Sequence, residues 1–179
     1  MRLAACAAAG VVAFIVVGCA SVSPLTPAAP GESLSGRLAV RVDAIGTAPA
    51  RAFSAAFDLR GDPRAGALGL STPLGSMLAQ ARWAPDEVAL MTPQGTRRFA
   101  DLDALTREVL GESVPIEAWF DWLRGRPWPA APSAPAAGAA GFEQLGWTVD
   151  LARFADGAVV ATRTLPQPSV TVRIQLDPS

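Results

Sequence analysis

From residue 34 onward, most hydrophobic positions alternate with polar or small ones, which is the pattern of half-buried β-strands. The first such segment places Leu34, Gly36, Leu38, Val40 and Val42 on one face. Similar stretches recur at 53–59, 68–70, 77–83, 88–90, 147–151 and 170–176. Turn sequences such as Gly61-Asp62-Pro63 and Pro73-Leu74-Gly75 separate them. The pattern predicts about nine or ten antiparallel strands.

Two short helices interrupt this pattern after Phe99. The first is predicted to begin after Asp101 as its N-cap, to carry apolar residues at 102, 105, 109 and 110, and to end at Gly111. The second begins near Pro115 and ends at Gly125. Its apolar stripe consists of Ile116, Trp119, Phe120 and Leu123. The Pro/Ala/Gly-rich segment 125–141 is predicted to be a loop that is mobile at its centre.

Many strands with one apolar face each, and only two helices, predict a mainly β fold. A parallel α/β protein is excluded, because its strands are buried on both faces. A twisted sheet of this size tends to curl and to bury its apolar face on itself, with the helices as a plug. From the pattern alone the enclosed space is either an ordinary packed core or a cavity for an apolar guest.

The N-terminal residues resemble a bacterial secretion signal with a lipobox. Met1-Arg2 precedes an apolar run that ends at Val16-Val17-Gly18-Cys19, and this run is shorter than the about 20 residues of a membrane span. We expect removal of residues 1–18, lipidation of Cys19, a tether over 19–33 and one folded domain over 34–179. The alternatives are a transmembrane helix or a signal that is cleaved without lipidation.

Composition argues against most enzyme classes and against nucleic acid binding. The net charge is -1, and all 15 basic residues are arginines. The chain contains no histidine, lysine or tyrosine, and the cysteines are Cys6, which leaves with the signal, and Cys19. We therefore expect no enzyme, no cofactor and no metal site. An acid-only hydrolase of the cell wall is a disfavoured alternative, because the carboxylate pairs lie where helix caps and surface positions are common.

Several short pieces resemble, in order and spacing, the LolB family of outer-membrane lipoproteins. They are Gly36–Val40, Ser71–Ser76, Pro93–Ala100, Val114–Ile116, Trp122–Gly125 and Phe142–Val149. Together with the lipobox, the resemblance extends from the signal to about Leu176. Ala20-Ser21 after the cysteine also fits, because an Asp directly after it is the familiar signal for staying in the inner membrane.

The resemblance implies a curved antiparallel sheet that forms an incomplete (half) β-barrel, plugged by the helices and enclosing an apolar cavity. It also implies a monomeric receptor, anchored by lipid on the periplasmic face of the outer membrane. This receptor takes lipoproteins by their acyl chains from a periplasmic carrier of the LolA type and delivers them to outer-membrane lipid. The alternative is a lipoprotein of the same fold that acts as a static protein-binding partner in envelope assembly.

The resemblance assigns candidate roles to individual residues. Pro73, Leu74 and Gly75 correspond to a protruding loop that contacts the membrane, although a surface leucine in a turn needs no function. Candidate acyl-chain contacts are Leu38, Val40, Phe57, Trp119, Phe120, Leu123, Trp147 and Val149. Core packing is the other interpretation of these eight. Arg37 is either a solvated charge or part of a contact with the carrier.

Overall fold

A computed structural model describes residues 33–138 and 140–178. Within them lie an eleven-stranded sheet, two α-helices and one 3-10 helix, Phe154–Asp156. The strands are β1 Ser33–Val42, β2 Arg51–Gly61, β3 Gly66–Ser71, β4 Met77–Ala84, β5 Glu87–Thr92, β6 Gly95–Phe99, β7 Ser133–Pro135, β8 Gly141–Gln144, β9 Trp147–Asp150, β10 Ala158–Arg163 and β11 Val170–Leu176. The helices are α1 Leu102–Leu110 and α2 Ile116–Trp122. The predicted signal peptide, Cys19 and all of the tether up to residue 32 lie outside the described residues.

The sheet is antiparallel and open, with the strand order β6-β5-β4-β3-β2-β1-β11-β10-β9-β8-β7. Strands that are neighbours in the sheet are also consecutive in the chain, except for β1 and β11. These two strands pair with each other, and Val40 lies opposite Val172. The two edges are β6 and β7, and the chain between them contains both helices. The predicted mainly β fold with a curved half-barrel is confirmed. One strand, β7, lies in the segment that was predicted to be a loop.

Five hairpin turns lie at the same end of the sheet, which we call the rim. They are residues 43–50, 72–76, 93–94, 145–146 and 164–169. The strand ends that flank these turns lie level with one another. Val42 pairs with both Arg51 and Val170, and Arg163 also pairs with Val170. The described chain begins at the opposite end, at Ser33.

The alternation that predicted the strands is present in the burial of their side chains. In β1, Leu38, Val40 and Val42 are buried, whereas Arg37 and Arg41 are exposed. In β11, Val170, Val172 and Ile174 are buried. These inward residues share one apolar core with the two helices. The concave face of the sheet therefore carries the core, and the arginines lie on the outer face.

Helix α1 forms as its sequence predicts. The Asp101 side chain accepts a hydrogen bond of 2.6 Å from the backbone N–H of Ala104, which caps the first turn. Gly111 ends the helix in the left-handed region with φ +79°, and its N–H donates to the Arg107 carbonyl. No helix in the described parts of the chain is long and apolar enough to cross a membrane.

Helix α2 is buried on more sides than its predicted stripe allows. Its buried residues include Ala118, Asp121 and Trp122, and Trp122 is only 1% exposed. The indole Nε1–H of Trp122 donates to Gln144 Oε1 over 2.7 Å, and the Trp122 ring lies 6.3 Å from the ring of Trp147. The periodicity of the sequence predicted only one buried face of α2. Its other faces are covered by strands β8 and β9 and by the segment that follows the helix.

The side chain of Gln144, which is only 2% exposed, connects α2 to the segment that follows it through four hydrogen bonds. Its Oε1 accepts from Trp122 Nε1 and from the backbone N–H of Trp128, and its Nε2 donates to the carbonyls of Trp128 and Ala131. All four bonds are 2.7–2.8 Å long, and they use every polar atom of the side-chain amide. The segment before β7 is thereby held against α2 and β8.

Replacing Gln144 with leucine should destabilise the fold strongly. The change removes four hydrogen bonds and leaves the buried indole N–H of Trp122 without this partner, so we expect the free energy of unfolding to fall by about 3 kcal/mol. Urea denaturation followed by tryptophan fluorescence measures this. The control is Gln175→Leu, because exposed Gln175 donates a single bond to the Asp156 carbonyl. Equal losses in the two variants would contradict the role given to Gln144.

Candidate functional site

A small apolar cavity lies between α1 and the concave face of the sheet. Its volume is about 60 Å³. It is lined by Leu38, Val40, Phe53, Leu68, Leu70, Ala79, Ala81, Leu90, Leu105, Thr106, Val109, Leu110, Val114, Ile116 and Trp119. The polar side chain among these is Thr106, whose hydroxyl donates to the Asp103 carbonyl and accepts from the N–H of Val114. The hydroxyl is thus already satisfied, and the lining offers a guest only apolar contacts.

Three of the eight residues predicted to contact an acyl chain line the cavity. Leu38, Val40 and Trp119 line it. The other five, Phe57, Phe120, Leu123, Trp147 and Val149, are buried in the surrounding core and are not among its lining residues. Sequence reasoning missed the contribution of α1, which supplies Leu105, Val109 and Leu110. The signal was present, because those positions form the predicted apolar stripe of that helix.

The cavity is too small for an acyl chain in this conformation. A cavity of about 150 Å³ is the size that accommodates benzene, which has six carbons. A volume of about 60 Å³ therefore holds only a short piece of hydrocarbon. Uptake of an acyl chain requires one wall to move.

Helix α1 is the wall with the weaker attachment. Val109 on this helix lines the cavity and is 46% exposed. The ion pair that links α1 to β6 joins Arg97 and Glu108 over 2.9 Å, but both side chains are more than half exposed, so it contributes less than about 1 kcal/mol. Helix α1 buries Leu102, Leu105 and Thr106, whereas six of the seven residues of α2 are buried and Trp122 donates a hydrogen bond to Gln144.

The chain between the two helices is anchored by a buried ion pair. Arg163 on β10 bonds to the carboxylate of Glu112, and its side chain is 9% exposed. Its guanidinium also donates to the Ser113 carbonyl and lies 5.6 Å from the ring centre of Trp147. Its Nε has no hydrogen-bond partner among the described residues. The Arg163–Glu112 pair fixes the end of α1 that adjoins α2.

The carboxylates of the helices have structural partners. Asp101 caps α1, and Asp121 pairs with Arg126 over 2.7 Å. Burial raises the pKa of Glu117 above its ordinary value, and the nearby charges of Asp103 and Asp101 raise it further. No group of three acidic, histidine or cysteine side chains in the described parts of the chain is arranged to hold a metal ion. Asp101 and Asp121 thus have structural partners in the described part of the chain.

Leu74 lies at the tip of a tight turn at the rim. The Gly75 N–H donates to the Thr72 carbonyl and the Thr72 N–H to the Ser76 carbonyl, both over 2.9 Å. Gly75 adopts φ +84°, which favours glycine. Pro73 fixes the other side of the turn, and the Leu74 side chain is 95% exposed. A large apolar group is thus held in solvent by the geometry of its neighbours.

A second, larger depression lies on the outer face of the sheet. Its volume is about 450 Å³, and its walls include Arg37, Arg153, Arg173 and Asp150 around a floor that includes Ala39. The charged side chains suit a polar or acidic partner. Arg37 therefore lies on the side of the sheet opposite the apolar cavity.

Removal of Glu112 should destabilise the protein far more than removal of Glu108. Glu112→Ala leaves the Arg163 charge buried and unpaired, so we expect a loss of about 3–5 kcal/mol in the free energy of unfolding. Glu108→Ala breaks an exposed pair of the same chemistry and should cost less than about 1 kcal/mol. Urea denaturation of both variants measures the difference. Similar losses would show that the Arg163 pair does not anchor the helices.

Comparison with known proteins agrees with this architecture. The model of the family described as Outer membrane lipoprotein LolB matches residues 33–178. A protein from Bordetella petrii named outer-membrane lipoprotein LolB is 37% identical, over 93% of this chain and 88% of its own. Proteins of that name from Thiobacillus denitrificans and Chromobacterium violaceum are 29% and 30% identical, over 92% and 80% of this chain and 91% and 80% of their own. The chain belongs to the outer membrane lipoprotein LolB family.

Proposed function

We propose that this protein is an outer-membrane receptor that accepts lipoproteins by their acyl chains from a periplasmic carrier of the LolA type and incorporates them into the outer membrane. The observation that carries the proposal is the apolar cavity under α1, which lies beside a turn that presents Leu74 to solvent. Lipid on Cys19 anchors the receptor to the membrane into which it delivers.

The cavity supports uptake of an acyl chain because its wall is apolar and one side of it can move. Burial of hydrocarbon is favourable by about 25 cal/mol for each Å² removed from water. The free energy gained when an acyl chain enters therefore offsets the cost of displacing α1. No bond is made or broken in this transfer. The process needs a succession of apolar sites and no catalytic group.

The position of the cavity supports delivery toward the rim. Its lining residues at the rim ends of the strands, such as Phe53, Leu70 and Ala79, are partly exposed. Its deeper lining residues, such as Leu38 and Leu90, are buried. The accessible part of the cavity and the turn that bears Leu74 therefore lie at the same end of the sheet. An acyl chain that leaves there enters a bilayer in contact with Leu74.

Leu74→Glu should impair delivery to the membrane and leave uptake intact. The side chain is exposed, so folding is unaffected, but a charge replaces an apolar group whose transfer from water is worth about 1.5–3 kcal/mol. The assay follows a labelled lipoprotein from carrier to receptor and then to liposomes. Leu74→Met is the control and should behave as the unchanged protein. Normal delivery by Leu74→Glu would exclude the membrane role of the turn.

Ala79→Leu should block uptake by filling the cavity. The added carbons occupy space of about the size that the cavity offers, so the fold tolerates them while the entry of an acyl chain is obstructed. The measurement is transfer of labelled lipoprotein from the carrier to the receptor. Ala39→Leu places the same side chain on the outer face and should leave transfer unchanged. If Ala79→Leu accepts cargo normally, acyl chains bind elsewhere.

The depression around Arg37 and Arg173 is the feature that favours the alternative function, a static protein-binding partner in envelope assembly. An acidic protein surface is the partner that these side chains suit. Arg37→Glu together with Arg173→Glu should leave carrier-independent binding of an acylated peptide intact under the main proposal, whether or not Arg37 contacts the carrier. Loss of function in that variant, with normal function in Ala79→Leu, would favour the alternative.

A further inference from the structure

Exposed apolar side chains are concentrated at one end of this protein. Among the described residues, the large hydrophobic side chains that are exposed are Ile45, Leu74, Met77, Leu78, Val109, Leu145 and Leu165. Ile45, Leu74, Leu145 and Leu165 lie in four different rim turns, and Met77 and Leu78 begin the strand that follows one of them.

Val109 belongs to the same end of the molecule. It lies in the last turn of α1, and the glycine that ends this helix is packed beside Arg51, the first residue of β2 at the rim. Leu165 is the most exposed of the group after Leu74, with 71% of its surface accessible. The exposed apolar side chains at the rim therefore come from positions between 45 and 165 of the chain, and the strand order brings them together.

The charged residues show the opposite distribution. The five rim turns contain a single charged residue, Asp43, and its carboxylate is paired with Arg41 over 2.9 Å. The turns at the other end of the sheet contain Asp62, Arg64, Asp86, Arg153 and Asp156. Burial of the rim turns in an apolar phase therefore removes the Asp43–Arg41 pair from water, whereas burial of the turns at the other end removes five charges, of which Arg153 and Asp156 are paired with each other.

We infer that the whole rim is a membrane-docking surface and that Leu165 is a second insertion residue on it, with Ile45 and Leu145 as flanking contacts. The partner is the interfacial region of a phospholipid bilayer. This inference extends the membrane contact proposed for Leu74 and rests on that proposal. It sets an orientation in which the rim faces the membrane and the turns with charged residues face the periplasm.

The length of the N-terminal segment permits this orientation. The described chain begins at the end opposite the rim, and the ten residues of β1 span about 33 Å between the two ends. The 14 residues 19–32 reach up to about 50 Å when fully extended. A lipid on Cys19 and the rim can therefore contact the same bilayer.

The test places a fluorescent label beside Leu165 in the full, lipid-anchored protein. Gln167→Cys leaves Leu165 in place, and no cysteine occurs between residues 33 and 178. The protein is reconstituted in phosphatidylethanolamine and phosphatidylglycerol vesicles with brominated acyl chains as quencher. We expect quenching by the brominated lipid and protection from iodide at residue 167. A label at Ala152→Cys, at the opposite end, should show the reverse.

A second variant makes the test specific for the leucine. Leu165→Glu in the Gln167→Cys protein should reduce lipid quenching to the level of residue 152, whereas Leu165→Met should retain it. Iodide access at residue 167 equal to that at residue 152 would overturn the inference and would leave the rim to a protein partner.

The inference and the proposed function can fail separately. A label at Ser76→Cys reports on the Leu74 turn. Lipid quenching at residue 76 without quenching at residue 167 would overturn the wider docking surface and retain the Leu74 contact. Quenching at both residues, in a protein that accepts no lipoprotein from a carrier, would support the docking surface and contradict the proposed function.

Discussion

The structure depends on how an open sheet covers its own apolar face. Eleven strands follow one another almost in chain order, and the sheet is left open between β6 and β7. Closure into a barrel would have hidden the concave face without help from helices. Because the sheet stays open, the segment that connects its two edges must cross that face and cover it. Both helices lie in this connection, so topology makes them at once part of the core and the cover of the cavity.

The two helices are held in different ways, and this difference gives the fold its functional potential. Helix α2 is buried on nearly all sides, and Gln144 joins Trp122 to the chain that follows the helix. Helix α1 has an apolar stripe on the cavity and an exposed ion pair to β6. Arg163 and Glu112 fix only the end that adjoins α2. A small apolar cavity that is partly open at the rim is suited to a guest that supplies its own apolar surface on entry.

Local signals in the sequence predicted much of this fold. Alternation in β1, the cap at Asp101 and the stop at Gly111 depend on neighbouring residues, and each appears as expected. The full burial of Trp122 and the four bonds of Gln144 were not predicted, because they join segments that lie far apart in the chain. Both residues stand in the short pieces that resemble the family, Trp122–Gly125 and Phe142–Val149. The resemblance thus marked them before any physical reason for them was available.

The site was predictable only in part, for the same reason. Alternation identifies inward residues but does not say which of them face α1, so Leu38 and Val40 line the cavity while Phe57 and Val149 pack in the core around it. The exposure of Leu74 follows from its Pro-Leu-Gly turn, whereas the membrane contact proposed for it rests on the resemblance to the family. The rim could not be recognised in the sequence, because Ile45 and Leu165 become neighbours of the Leu74 turn only through the strand order.

We propose that the cavity under α1 receives acyl chains when this helix moves away from the sheet. The most direct test of this proposal is the structure of the receptor with a bound acylated peptide. We expect the acyl chain to lie against Leu38, Leu68 and Leu90, with α1 displaced and the Gln144 hydrogen bonds to Trp122 and Trp128 intact. An acyl chain bound in the outer depression beside Arg37 and Arg173, with α1 unmoved, would contradict it.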